Sequence, residues 1–251
     1  MKTKTNEYIE KKLAKAGKLA GTGFAIMFVF GFLADSVIMP RIINWQDPMH
    51  TSNNIYNQSS LFIAGILSYA GDMIANVFIA FVLYVLLKPV NKYVSIIAAG
   101  FRLLYVIIRS SVLCNLVKIL DITKAGGKAS VEISNKLMEL LKADSAGYTY
   151  ALIFFGIHVL LIGYLIFRSG YIPRILGILL MIAFTGYQVY CFAFILDTNF
   201  ELHKNIYTMI LAIPGVISEF SLCIWLLFKR IRFKEKTNRG RTRLTVLTSG
   251  N

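Results

Sequence analysis

Residues 61–92, LFIAGILSYAGDMIANVFIAFVLYVLLKPVNK, decide the fold. From Leu61 to Leu87 the chain carries one charge, Asp72, before Lys88-Pro89-Val90-Asn91-Lys92 stops it. A run of about 18 or more apolar residues spans the hydrocarbon core of a bilayer as a helix. In lipid every backbone N–H and C=O must be paired within the protein, and a helix pairs them within the segment itself. A second apolar run, 93–117, begins as soon as the turn ends. Residues 61–117 therefore read as two membrane-spanning helices joined by a tight basic hairpin.

The same pattern extends in both directions. A first span covers 19–39 and closes on Asp35, and the polar stretch after it includes Trp45, which suits a membrane interface. Further spans cover 147–167, 175–196 and 206–228, the first two joined by Arg168-Ser169-Gly170-Tyr171-Ile172-Pro173-Arg174. Residues 1–18, rich in lysine, read as a short amphipathic cytoplasmic helix running into the first span. In the polar segment 118–146, Ile133, Leu137, Leu140 and Leu141 recur at helical spacing and predict a separate amphipathic helix. The expected fold is all-α: a six-helix transmembrane domain over 19–229, followed by a basic tail at 230–251 without regular structure.

Composition agrees. Of 251 residues, 56% are hydrophobic and 16% charged, with a mean hydropathy of +0.62; soluble domains carry about a quarter charged residues. The net charge of +14 is not a nucleic-acid signature, because the lysines and arginines flank the apolar runs without aromatic interleaving. The expected partner is the lipid bilayer. Eighteen Lys and Arg lie in the N-terminus, the two tight hairpins and the tail, against seven in the other three connections, which places both termini in the cytoplasm. Cys114, Cys191 and Cys223 all fall in spans without metal-ligand spacing, so neither a disulfide framework nor a metal site is expected. The basic start without a small-residue cleavage site argues against a signal peptide. Chain length leaves a homo-oligomer open, and no single helix face demands one.

Six ionisable residues interrupt the spans. Each costs at least about 2.5–3.5 kcal/mol near the bilayer centre unless it is compensated, so each is expected to face inward with a partner. At about 1.5 Å per residue, Arg102, His158 and Glu219 lie roughly 15 Å from the cytoplasmic end of their spans, near the midplane. Asp35, Asp72 and Arg109 form a second, outer layer at roughly 25 Å. Charges balance across the two layers if His158 is protonated. Spans two and three are neighbours through their hairpin, which predicts an Asp72–Arg109 pair; an Arg102–Glu219 pair is the corresponding midplane expectation. Asn76, Tyr105, Tyr187 and Gln188 are candidate lining residues. Such charges can instead fix which helices meet and in what register.

No HExxH, GxSxG, phosphate loop or dinucleotide fingerprint is present, and His158 is the only histidine inside a span. A bis-histidine haem, and any other cofactor, is therefore not expected. Three function classes remain: a membrane protein binding or passing a small solute, ion or proton; an enzyme or redox partner acting on a lipid-soluble substrate; and a non-catalytic accessory protein.

Three stretches carry a family likeness. They are Leu86-Leu87-Lys88-Pro89-Val90-Asn91-Lys92 with Phe101-Arg102-Leu103; Phe154 to His158 continuing through Gly163 to Gly177; and Glu219 to Leu227. Over about residues 18–230 the chain resembles a bacterial multi-pass membrane family catalogued as domain of unknown function 4386. The resemblance implies a bacterial cytoplasmic membrane, six helices, and recurrent positions at Arg102, His158 and Glu219; it supplies no substrate. Members often carry an acidic or polar residue near the position of Tyr105, and Arg109 is an addition in this chain.

Overall fold

The computed structural model describes residues 4–125, 130–229, 233–236 and 243–246. Helix α1 (Lys4–Phe32) continues through a π-helical stretch, Leu33–Ile38, into the short α2 (Met39–Ile42). Then follow α3 (Pro48–Asn57), α4 (Ser59–Leu87), α5 (Lys92–Ala125), α6 (Val131–Ser169), α7 (Arg174–Leu196) and α8 (Phe200–Phe228). Among the described residues, six helical stretches are long and apolar enough to cross a membrane: Glu10–Ile42, Ser59–Leu87, Lys92–Lys124, Val131–Ser169, Arg174–Leu196 and Phe200–Phe228. The protein is thus an all-α, multi-pass membrane protein.

Two boundaries differ from expectation. The amphipathic stretch after residue 130 is not a separate helix but the beginning of α6, whose 39 residues reach roughly 58 Å, well past an apolar core of about 30 Å. In the tail, expected to lack regular structure, β1 (Phe233–Lys236) pairs antiparallel with β2 (Arg243–Val246).

The chain divides into two compact units. The first comprises Met1–Ala25, Val77–Leu103 and Leu152–Asn251. Its two tight hairpins explain the most specific stretch of the sequence. The α6–α7 turn needs a left-handed residue, which Gly170 supplies at φ 70°. Ser169 Oγ accepts from Ile172 N at 3.3 Å. Buried Tyr171 donates its hydroxyl to the Leu86 carbonyl, one of the last-turn carbonyls of α4 that have no partner within their own helix. Burial pushes the Tyr171 phenol up from its ordinary value. Helices α7 and α8 meet closely at a second site. Pro214 lies inside α8 and has no N–H to offer the Ile210 carbonyl four residues earlier. Gly186 of α7 packs on that carbonyl, where a Cβ would stand 2.4 Å from the oxygen.

The second unit comprises Ile26–Asn76 and Leu104–Ala151. Its core gathers Ile38, Met39 and Ile42 with Ile55, Phe62, Leu116, Ile119, Leu137 and Leu141. Leu137 and Leu141 are one turn apart on α6, so the polar segment contributes an apolar stripe. Asp47 caps α3 by accepting from His50 N at 2.9 Å, and Pro48 begins the helix. That pairing needs no donor at the first helical position, where proline has none.

Candidate functional site

Each unit holds one buried polar cluster. In the first unit, Arg102 of α5 is 1% exposed and ranks among the largest fully buried side chains. Its Nη1 lies 3.0 Å from His158 Nε2, and its guanidinium sits between Phe24 and Phe155, each ring centroid 5.3 Å away. The quadrupole of an aromatic ring attracts a cation over its face. Two such rings supply an apolar environment that still favours the charge. His158 Nδ1 lies 2.7 Å from the Ala98 carbonyl oxygen.

These partners fix the tautomer. A carbonyl only accepts, so Nδ1 carries the proton; a guanidinium only donates, so Nε2 presents its lone pair. His158 is therefore neutral in this arrangement. The charge balance expected from a protonated His158 is corrected: a second proton on the ring would remove its hydrogen bond from Arg102 and set two cations 3.0 Å apart.

Glu219 of α8 is 5% exposed and accepts from the Tyr187 hydroxyl at 3.1 Å. Gly215 leaves room for that hydroxyl, since a Cβ there would lie 2.9 Å from it. Glu219 feels the charge of Arg102, yet the direct contact expected between them is replaced by Arg102–His158 and Tyr187–Glu219. Phe155 links the parts, packing edge-on against Tyr187 at 5.3 Å and beside His158 at 5.9 Å. Gln188 turns elsewhere and donates to the Ile153 carbonyl at 3.1 Å. Tyr190 packs on Phe200.

In the second unit, Arg109 of α5 is 4% exposed. It too lies between two rings, Tyr69 at 4.8 Å and Tyr148 at 5.2 Å. Its ion pair is with Asp144 of α6, at 2.6 Å, and the Asp72–Arg109 pair is not formed. Asp72 instead accepts from Asn76 Nδ2 at 3.2 Å through its carboxylate. Asp35, within the π-helical stretch, accepts from the Tyr69 hydroxyl at 2.6 Å. Tyr105 is buried and interacts electrostatically with Arg109. Among the described residues no three His, Cys, Asp or Glu side chains converge as a metal cage.

Sequence reasoning missed Asp144, Tyr69, Tyr148, Phe24 and Phe155. For Asp144 a signal existed: it continues the Leu137–Leu141 stripe by three residues, and Tyr148 continues it by four more. A carboxylate on a buried stripe calls for a cation.

Six membrane-length helices and two buried guanidinium groups, each near a pair of aromatic rings, define a multi-pass membrane protein with buried polar clusters. Within that class the chain belongs to the family described as Domain of unknown function (DUF4386), matched over residues 19–229. It is also 38% identical over 117 residues to an uncharacterized protein of Archaeoglobus fulgidus. The aligned part is 47% of this chain and 59% of that one, so the match covers less than two thirds of the relative. No solved structure matches.

Proposed function

We propose that the protein binds, and passes across the membrane, a proton or small cation at the cluster of Asp35, Tyr69, Arg109 and Asp144. The observation that supports this reading is the position of Asp35. Asp144 closes on Arg109 at 2.6 Å, whereas the direct partner of Asp35 is a neutral hydroxyl. Asp35 is exposed on the protein and lies seven residues before the end of the first membrane-length helix, Ile42. An intramembrane carboxylate in that setting is stabilised by taking up a proton or a cation. It also stands on a π-helical stretch, a departure from α-geometry that is frequent at functional sites.

The experiment is a comparison of thermal stability for the parent and Asp35→Asn in mild detergent. Lithium, sodium, potassium and ammonium chlorides are titrated against choline chloride, and pH is varied separately. A ligand at 100 times its Kd stabilises by about 2.7 kcal/mol, or roughly 5–10 °C for a chain of this size. The parent is expected to respond to one of these cations or to pH, and Asp35→Asn to lose that response. Equal responses in both proteins overturn the reading.

A structural role is favoured for the Arg102–His158–Glu219 cluster, because its rings and hydrogen bonds already engage every side chain named in it. The proposed setting is the cytoplasmic membrane of a prokaryotic cell with both termini inside, an orientation the distribution of Lys and Arg supports. In a Cys114→Ala background, Asn54→Cys is expected to react with an impermeant thiol reagent from outside intact cells and Asn91→Cys is not. The reverse pattern inverts the topology.

A further inference from the structure

The connection from α2 to α3 forms an open cleft of about 400 Å³ that shares no lining residue with either buried polar cluster. Pro40 and Ile43 supply its apolar wall, and Arg41, Trp45 and His50 line it. The loop's own hydrogen bonds hold its shape. Thr51 Oγ1 donates to the Asn44 carbonyl and accepts from Asn44 N, both at 2.8 Å. Asn54 Nδ2 donates to the Ile42 carbonyl at 3.1 Å. A site built this way needs little reordering to receive a ligand.

The charge of the lining is positive. Arg41 is exposed and closes no ion pair among the described residues. Asp47, the acid of the same loop, does not line the cleft and is engaged as the cap of α3. Trp45 is 50% exposed. Position then narrows the ligand. Pro40 to Ile42 are the last residues of the first membrane-length helix, and Ile43 to Gln46 follow in the polar connection. The cleft therefore straddles the boundary between apolar and polar chain, the level at which tryptophan and lipid headgroups meet.

We propose that this cleft binds the phosphate of an anionic lipid headgroup, with Arg41 as its cation and Trp45 as its amphipathic wall. A guanidinium presents parallel N–H donors that match phosphate oxygens, while the half-exposed indole offers an apolar face. The acyl chains then leave along the apolar end of the helix.

The test uses the emission of Trp45 in a Trp225→Phe background, which removes the second of the two tryptophans. Purified protein is titrated with dihexanoylphosphatidylglycerol and, separately, with sodium phosphate. The lipid is expected to give a saturable shift that Arg41→Gln weakens by at least about tenfold. Arg41→Lys, checked like the others for an unchanged gel-filtration profile, is expected to fall between them. Sodium phosphate saturating as tightly as the lipid overturns the lipid source and makes the ligand a free phosphate compound. No shift with either probe, or an Arg41→Gln titration matching the parent, overturns the site.

Discussion

Replacing His158 with leucine removes two hydrogen bonds at once: the 2.7 Å bond to the Ala98 carbonyl and the 3.0 Å bond from Arg102. The two are unequal. A neutral interhelical hydrogen bond inside a membrane protein averages about 0.6 kcal/mol, because the unfolded chain in lipid also finds partners. A hydrogen bond to a charged group contributes about 1.5–3 kcal/mol, and Arg102, 1% exposed, has no water to replace it. Its two aromatic neighbours remain and limit the loss. The sum is about 2–4 kcal/mol, or roughly 4–16 °C in thermal midpoint for a chain of this length. His158→Gln separates the contributions: its amide oxygen reaches Arg102, but the amide nitrogen does not reach Ala98. It is expected to lose about 1 kcal/mol, roughly 2–4 °C. Thermal unfolding in mild detergent, followed by intrinsic fluorescence, measures all three proteins under one condition. His158→Leu unfolding within about 1 °C of the parent refutes the reasoning. His158→Gln falling as far as His158→Leu would show that ring shape and not the Arg102 bond matters.

Three further outcomes follow from the same geometry. Gly186→Ala drives a Cβ to 2.4 Å from the Ile210 carbonyl and is expected to cost at least about 2 kcal/mol. Gly100→Ala, with nothing within 4 Å of the new Cβ, is expected to be neutral or to gain up to about 1 kcal/mol from helix propensity; similar thermal shifts in both variants would contradict the close approach of α7 and α8. Arg109→Gln and Asp144→Asn are each expected to lose about 3–5 kcal/mol by leaving a buried partner charge. The double variant should lose less than the sum, with a coupling on the order of 1.5–3 kcal/mol in an unfolding cycle; strict additivity contradicts the pair. Hydrogen bonds from Asn199 N, the Tyr207 hydroxyl and His203 hold the half-buried Asp197 carboxyl below its ordinary value of 3.8. Because the folded value is depressed, its stabilisation is present above pH 3.8 and is lost as pH falls through the lower folded value; Asp197→Asn is expected to flatten the acid end of the stability–pH curve, and an unchanged curve would deny that role.

The fold was legible because its signal is long-range in composition but local in sequence. Runs such as 61–87 need no tertiary information to be read as spans. Arg102, His158 and Glu219 were legible for the same reason: they are charges or titratable groups inside apolar runs, and Arg102 does meet His158. Their pairing was not. Partner choice depends on helix rotation and on aromatic neighbours such as Phe24 and Phe155, which look like any other apolar residue in a span. Apolar content alone starts the fourth span at residue 147 and leaves Asp144 outside it, whereas α6 begins at Val131. Three residues decide whether it counts as loop or as part of the helix. The π-helical stretch that carries Asp35 has no sequence signature, and its contact to Tyr69 joins residues 34 apart. Both pairings also show how buried arginines are accommodated here. Each guanidinium has two rings within about 5 Å and a polar neighbour, His158 for Arg102 and Asp144 for Arg109.

The most direct measurement is cation and proton flux into proteoliposomes carrying a pH-sensitive dye inside, with a membrane potential imposed by potassium and valinomycin. Parent protein is expected to acidify the lumen, or to do so when one small cation is supplied in exchange, and Asp35→Asn at equal incorporation is expected to be silent. Flux through Asp35→Asn equal to the parent, or none in either protein under any of these gradients, contradicts a translocation role for the Asp35 cluster.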